Sequence, residues 1–249
     1  MRRLAWIGLA ALAAWLQAWP GPAVADAAAQ TVAQILDADT LRLEDGREIR
    51  LTGLRVSRPA DRWSRAARAL LQDRALGRRV ALDPPEPGQD RRGRLLAQVT
   101  TADGLWLQGL LLEAGLARVE TFADNHRRAP DMLAIEAAAR AAGRGLWSDP
   151  RFRVLSAEEA ETAGEGIHLV EGRVVRVVER RDRFYLDFGQ DWRRDFSVTI
   201  LKRDRAAFKA AGLDPAELGD ARLRVRGWMR MFNGPMIDLT HPQQIERLP

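Results

Sequence analysis

Apolar and polar residues alternate through "TVAQILDADTLRLEDGREIRL", from Thr31 to Leu51, and Asp45-Gly46 interrupts the pattern. A period of two with an Asp-Gly break specifies strands joined by tight turns, hence an antiparallel sheet and not a helical bundle. The expected strands are Val32–Leu36, Thr40–Leu43 and Glu48–Gly53. After Pro59 the period changes: Trp63, Ala67, Leu70 and Leu71 fall on one face of a helix. "GRRVALDP" and "GRLLAQVTT" then read as two further strands around the polar loop "PPEPGQDRR". A short helix in "GLWLQGLLLEAGL" ends at Gly115. A last one in "DMLAIEAAARAAGRGLW" stops near Gly143–Gly145, with Trp147 expected on the core. Five strands broken by a helix suggest a mainly β, α+β domain over residues 31–150, an OB-type five-stranded barrel with packed helices.

The stretch 151–166 includes "SAEEAETAGEG", which is acidic and poor in apolar residues and reads as a linker. Alternation resumes in "HLVEGRVVRVVER", "RFYLDFG" and "DFSVTIL". A short helix around Ala206–Ala211 follows, and Asn233-Gly234 marks a hairpin between Leu223–Met231 and Pro235–Leu239. Residues 167–249 are therefore expected to form a second small OB-like β-barrel. Alternation sets Phe184 against Tyr185, and Trp228, Met229 and Met231 are expected to pack in the core and along an edge.

The 249-residue chain begins with Arg2 and Arg3, an apolar run from Leu4 to Trp19, and the small residues Ala23-Val24-Ala25. This is the layout of a secretory signal over residues 1–25, with cleavage after Ala25. The run is shorter than the ~20 residues a membrane span needs, and no later run matches it. A periplasmic or secreted protein with no membrane span after cleavage is the expectation. The chain has no cysteine, which excludes zinc–thiolate sites, cysteine nucleophiles and disulfides. Its formal charge of +5 falls to +3 without Arg2 and Arg3, and Lys202 and Lys209 are its only lysines. Guanidinium forks suit phosphate, but acids are also plentiful, so charge alone is a weak pointer to nucleic acid.

The pieces "ILDADTLRLEDGREIRLTGL", "DRRGRLLAQV", "DGLWLQGLLLEAGLARV" and "EAAARAAGRGLW" resemble, in order and spacing, the staphylococcal nuclease-like (thermonuclease) family. The resemblance covers most of Val32 to Trp147 and implies the same OB barrel. It also implies calcium-assisted phosphodiester cleavage, in which carboxylates and a carbonyl hold the metal. A glutamate orients the attacking water, and two arginines neutralise the five-coordinate phosphate. By this likeness Asp39 takes the first calcium-ligand position, and Arg50 and Arg94 take the two phosphate-contacting positions. Arg92 stands where a nucleotide-stacking tyrosine is usual.

One stretch departs from the pattern. Where the family has Asp-(Ala/Thr)-Pro-Glu, this chain has Arg55-Val56-Ser57-Arg58. The family site sums to −1; here Asp39 against Arg50, Arg55, Arg58 and Arg94 sums to +3. A divalent ion ~5 Å from one guanidinium is repelled by roughly 6–7 kcal/mol at an effective dielectric near 20. The expectation is a degenerate site with no cofactor, and Ca2+ only if the protein is active. Asp37 is expected to form the strand turn, and His126, His168 and His241 to lie apart on surfaces or loops.

Three readings follow: an exported module binding nucleic acid or another polyanion through Arg50, Arg55, Arg58, Arg92 and Arg94; an active secreted nuclease; and a periplasmic protein-interaction scaffold. In the second half Trp192, Arg193 and Arg194, near a turn, are the candidate nucleic-acid contacts. The other aromatics of "RFYLDFGQDWRRDF" are expected mainly to pack.

Overall fold

The computed structural model describes residues 30–83 and 88–249; the expected signal segment, residues 1–25, lies outside them. β1 (Gln30–Asp37), β2 (Thr40–Leu43) and β3 (Glu48–Leu51) form the expected meander. Its second turn is set by Gly46 at φ 85° and by Asp45 Oδ1, which accepts the Arg47 N–H at 3.0 Å. β4 (Leu54–Val56), α1 (Arg62–Ala75), β5 (Arg79–Asp83) and β6 (Leu95–Thr101) follow. The barrel closes in the order β1-β2-β3-β6-β5. β3 and β6 run parallel, and Gln30 on β1 meets Val80 on β5. Inside lie Val32, Ile35, Leu41, Leu43, Ile49, Leu51, Val80 and Val99, all at most 2% exposed.

Asp61 caps α1 by accepting the Trp63 N–H. The buried stripe of α1 is Ser64, Ala67, Leu71 and Ala75; Trp63 and Leu70 of the expected face are only half-buried. α2 (Leu107–Glu113), β7 (Ala117–Val119) and α3 (Ala129–Ala141) complete this half. Leu146 buries where Trp147 was expected; Trp147 stays half-buried, with the Arg140 guanidinium 5.6 Å from its ring centre.

α2 does stop at Gly115, whose φ is +66°. Gly115 and Gly145 press backbone on backbone: a Cβ on Gly145 (φ +55°) would lie 2.3 Å from the Gly115 carbonyl oxygen. Gly143 shares the left-handed conformation (φ +60°) but has open space around it. Gly143→Ala is therefore expected to cost about 1–2 kcal/mol from conformation alone. Gly145→Ala must cost more, because neither backbone can yield cheaply; thermal melting of the two variants checks the order.

The expected linker is a folded part of the second half. β8 (Leu155–Ser156) pairs in parallel with β9 (Gly166–Arg173). α4 (Ala157–Ala163) starts at a capping box in which Ser156 and Glu159 satisfy each other's backbone N–H. Leu155, Ala157 and Ala160 are buried in the second core. The remaining elements are β10 (Arg176–Glu179), β11 (Arg183–Asp187), β12 (Ser197–Leu201), α5 (Arg205–Ala210), β13 (Arg222–Met231), β14 (Pro235–Leu239) and β15 (Ile245–Arg247).

These strands make one eight-stranded sheet in the order β10-β11-β12-β14-β13-β9-β8, with β15 also on β13. The expected five strands become eight through β8, β15 and the splitting of "HLVEGRVVRVVER" into β9 and β10. That split shows how the sheet curls. β9 and β10 stand five strand spacings apart, about 24 Å if flat. The two residues Val174 and Val175 join them, and a step from Arg173 to Arg176 spans at most ~11 Å. The sheet must roll until its ends approach. Its interior holds Phe184, Phe196, Val198, Ile200, Phe208 and Ile237. The expected hairpin is present, with Asn233 at φ 50° and Gly234 at φ 86°, the left-handed pair of a type I′ turn.

Side chains join the halves directly. Arg226 on β13 reaches Glu136 on α3 at 2.7 Å and Glu246 on β15 at 2.6 Å. Among the described residues no helix is long and apolar enough to cross a membrane.

Candidate anion site on the first barrel

Asp39 sits in the β1–β2 turn and is 7% exposed. Thr40 Oγ1 donates to Asp39 Oδ1 at 2.8 Å, and Arg50 Nε donates to Oδ2 at 3.3 Å. The meander positions these groups, because Thr40 and Arg50 face each other across β2 and β3. Arg94 enters from the turn before β6, where its Nη1 donates to Thr40 Oγ1 at 3.1 Å. Asp39 and Arg94 thus share one threonine hydroxyl, and Arg50 joins them through the other Asp39 oxygen. Asp37 does serve its turn, accepting the Ala38 N–H at 2.7 Å.

Two acids unforeseen in the sequence hold two of the family-position arginines, Asp90 on Arg94 and Glu120 on Arg55. Asp90 Oδ1 accepts the Arg92 and Arg94 N–H groups at 2.8 and 3.1 Å, and Oδ2 accepts Arg94 Nε at 2.8 Å. Burial would raise the Asp90 carboxyl pKa, but Arg94 and the two backbone donors outweigh it and hold it below the usual range. Glu120, just past β7, accepts both Arg55 Nε at 2.9 Å and Arg55 Nη2 at 2.7 Å. β4 and β7 bring this pair together by placing Leu54 opposite Val119.

The charge expected from sequence is corrected accordingly. Asp90 and Glu120 offset two of the cations, so Asp39 and the four arginines come to +1 and not +3. Arg58 is exposed, and among the described residues it has no ion pair; the same holds for the Arg92 side chain. Arg50 commits only its Nε, leaving both Nη groups without a protein acceptor among the described residues.

Trp192, Arg193 and Arg194 stand in the β11–β12 loop of the second half, and no described hydrogen bond or ion pair links them to this cluster. Trp192 is 45% exposed, with the Arg193 guanidinium 4.9 Å from its ring centre. Met229 is buried as expected, whereas Trp228 and Met231 are exposed. Trp228 points outward because strand alternation sends the neighbour of a buried residue to the other face; Met231 shares the face of Met229 and is exposed at the last residue of β13, beside the hairpin.

The histidines also depart from expectation. His126 and His241 stack with ring centres 6.0 Å apart, and His241 is buried. His168 is half-buried, and burial, helped by Arg118, lowers its pKa.

Residues 35–149 match the family model described as staphylococcal nuclease homologue. Two curated relatives, from Escherichia coli O157:H7 and Escherichia coli, are both named "Uncharacterized endonuclease". Each is 29% identical to this chain over 121 residues, which are 47% of this chain and 76% of the relative. The family match covers the first barrel from Ile35 onward with its helices, and the whole second sheet, from β8 on, lies beyond it.

Proposed function

We propose that the staphylococcal nuclease-like domain at residues 35–149 binds nucleic acid or another polyanion without the family's calcium-dependent cleavage, in an exported protein. One observation carries the reading. The positions resembling the family's second calcium carboxylate and its water-orienting glutamate hold Arg55 and Arg58, and Arg55 is clamped on Glu120.

The residues present do not fit calcium. A hard divalent ion takes six to eight oxygens, several of them from carboxylates. Both Asp39 carboxylate oxygens already accept hydrogen bonds, one of them from a cation. Asp90 is held by Arg94. Among the described residues no group of three or more His, Asp or Glu could hold a metal. Phosphate suits the site better: among the described residues both Arg50 Nη groups lack a protein acceptor, Arg94 reaches the neighbouring Thr40 hydroxyl, and Arg58 and Arg92 add exposed positive charge.

The first test is digestion of single-stranded DNA with and without calcium, with calorimetric titration of calcium into the protein. Neither calcium-dependent products nor calcium uptake is expected; the appearance of both overturns the reading. Anisotropy of labelled oligonucleotide across a salt series supplies the positive arm. Arg50→Ala and Arg94→Ala are each expected to weaken binding about tenfold at low salt. Each should also flatten the log–log salt slope by about 0.7 on a single strand. The name carried by the Escherichia coli relatives favours a second reading, an active phosphodiesterase, and calcium-independent cleavage in the same assay would support it. Arg55→Asp with Arg58→Glu is expected to gain calcium uptake, since it restores two carboxylates and releases Glu120 from Arg55 as a further anion.

A further inference from the structure

The second sheet presents its own built surface. On β11, Phe184 and Leu186 face the core, so Arg183, Tyr185 and Asp187 take the opposite face, with Asp187 buried at its floor. Cross-strand neighbours share a face. Arg176 and Val178 on β10 stand beside Asp187 and Tyr185, and Ser197 on β12 stands between Asp187 and Met236. Trp192 from the β11–β12 loop and Phe232 from the β13–β14 hairpin wall this floor, enclosing a cleft of about 330 Å3. That volume falls at the small end of ligand clefts.

Three features of the cleft call for a ligand of one kind. Its walls are exposed aromatics, Trp192 at 45% and Phe232 at 60%. Its cations outnumber its acids: Arg176, Arg180, Arg183 and Arg230 line it against Asp187. Arg176 is spent on Asp187 at 2.6 Å, and Arg230 pairs with Asp238 at 2.9 Å. Arg180 has no ion pair among the described residues. Finally, Ser197 lines the cleft, is 2% exposed, and its hydroxyl has no hydrogen-bond partner among the described residues. A buried, unmatched hydroxyl is costly, and a polar group entering the cleft would satisfy it.

We infer that this cleft is a second nucleic-acid site, separate from the first barrel, which takes unpaired bases of a single strand. Trp192 and Phe232 supply the stacking faces, which a duplex with its bases already stacked cannot use. Ser197 bonds a base edge or sugar hydroxyl, and Arg180, which has no ion pair among the described residues, meets a flanking phosphate. An acidic peptide would satisfy the arginines but leave both rings unused, so a strand with bases is the better match.

The test uses the whole chain, a labelled twelve-nucleotide oligothymidylate, and a duplex hairpin of the same length. Both wall residues are exposed, so Trp192→Ala with Phe232→Ala should fold. This variant is expected to lose about tenfold or more in single-strand affinity with an unchanged salt slope, and to bind the hairpin as before. Arg180→Ala should instead flatten the salt slope by about 0.7. Unchanged single-strand affinity in the aromatic variant overturns the proposal, as does displacement of the strand by an equal charge of oligoglutamate. The two sites fail separately. Losses confined to Arg50→Ala and Arg94→Ala leave only the first-barrel reading standing, and losses confined to the aromatic variant leave only this one. A protein that binds neither oligonucleotide overturns both.

Discussion

Arg226→Met should cost about 3–5 kcal/mol in stability, measured as the shift in urea unfolding at neutral pH. Arg226 is 4% exposed and Glu136 fully buried, and they belong to different halves. Glu136 Oε1 accepts the Val119 N–H at 2.7 Å, while its Oε2 lies 2.7 Å from Arg226 Nη2. Arg226 Nη1 also donates to the Val119 carbonyl at 3.3 Å. Burial works against the charged guanidinium, but Glu136 and Glu246 outweigh it and raise its pKa. Methionine matches the volume and strips the buried Glu136 of its closest cation, while Glu246 keeps Arg224 at 2.9 Å. Arg140 stays 3.4 Å from Glu136 and 3.3 Å from Glu246, yet it is shared between them and its own charge is opposed by burial.

A second variant separates the pair's worth from the penalty of an orphaned acid. Arg226→Met with Glu136→Gln removes the closest pair of charges together, keeps an acceptor for the Val119 N–H, and leaves Glu246 to Arg140 and Arg224. It should recover most of the loss. A loss below about 1 kcal/mol in the single variant would mean that water reaches the carboxylates. Acid should act in the same direction. Burial raises the Glu246 pKa, but Arg226, Arg140 and Arg224 overcome it, so the folded value lies below the unfolded one. Its contribution is complete above the unfolded value and fades as pH falls through the folded one.

How far these features were legible depended on sequence distance. The β1–β3 meander and the Asn233-Gly234 hairpin could be read because turn chemistry and alternation are local. The stretch Ser156–Gly166 was misread on composition, although Ser156 and Glu159 at capping-box spacing announced a helix start. The break between β9 and β10 was hidden because alternation continues through Val174 and Val175 while the chain changes sheet partners. At the first-barrel cluster, motif order placed Asp39, Arg50 and Arg94. Their counter-ions were less accessible. Glu120 pairs with Arg55 across 65 residues of chain, and no local pattern signals a contact that only closure of β4 onto β7 creates. Asp90, four residues before Arg94, lay within reach as the acid of an Asp-x-x-Gly turn. The pairing of His126 with His241 had no signal of either kind.

That histidine pair sets the other large effect. Burial first, then the neighbouring His126, depresses the His241 pKa to about 4 against an ordinary 6.5, with Asp124 opposing the shift. Both ring nitrogens are engaged: Nε2 lies 2.7 Å from Thr121 Oγ1 and Nδ1 lies 2.9 Å from Thr240 Oγ1. A neutral ring accepts from one hydroxyl and donates to the other, whereas a protonated ring must donate to both, so one threonine would have to turn. Between pH 6.5 and 4 the unfolded chain holds a proton that the folded chain lacks, so stability rises with pH across this window. The contribution is complete above pH 6.5 and lost on acidification, about 3 kcal/mol in all. His241→Gln keeps a polar group there but cannot titrate. At pH 7 the variant should be the less stable chain, by about 1 kcal/mol for the altered hydrogen bonds. Near pH 4.5 the order should reverse, because only the native chain has lost the histidine contribution while the carboxylates and His168 titrate alike in both. Urea midpoints at pH 7, 6, 5 and 4.5 make the comparison, and curves that stay parallel would mean that His241 accepts its proton in place, with water or Asp124 screening the charge.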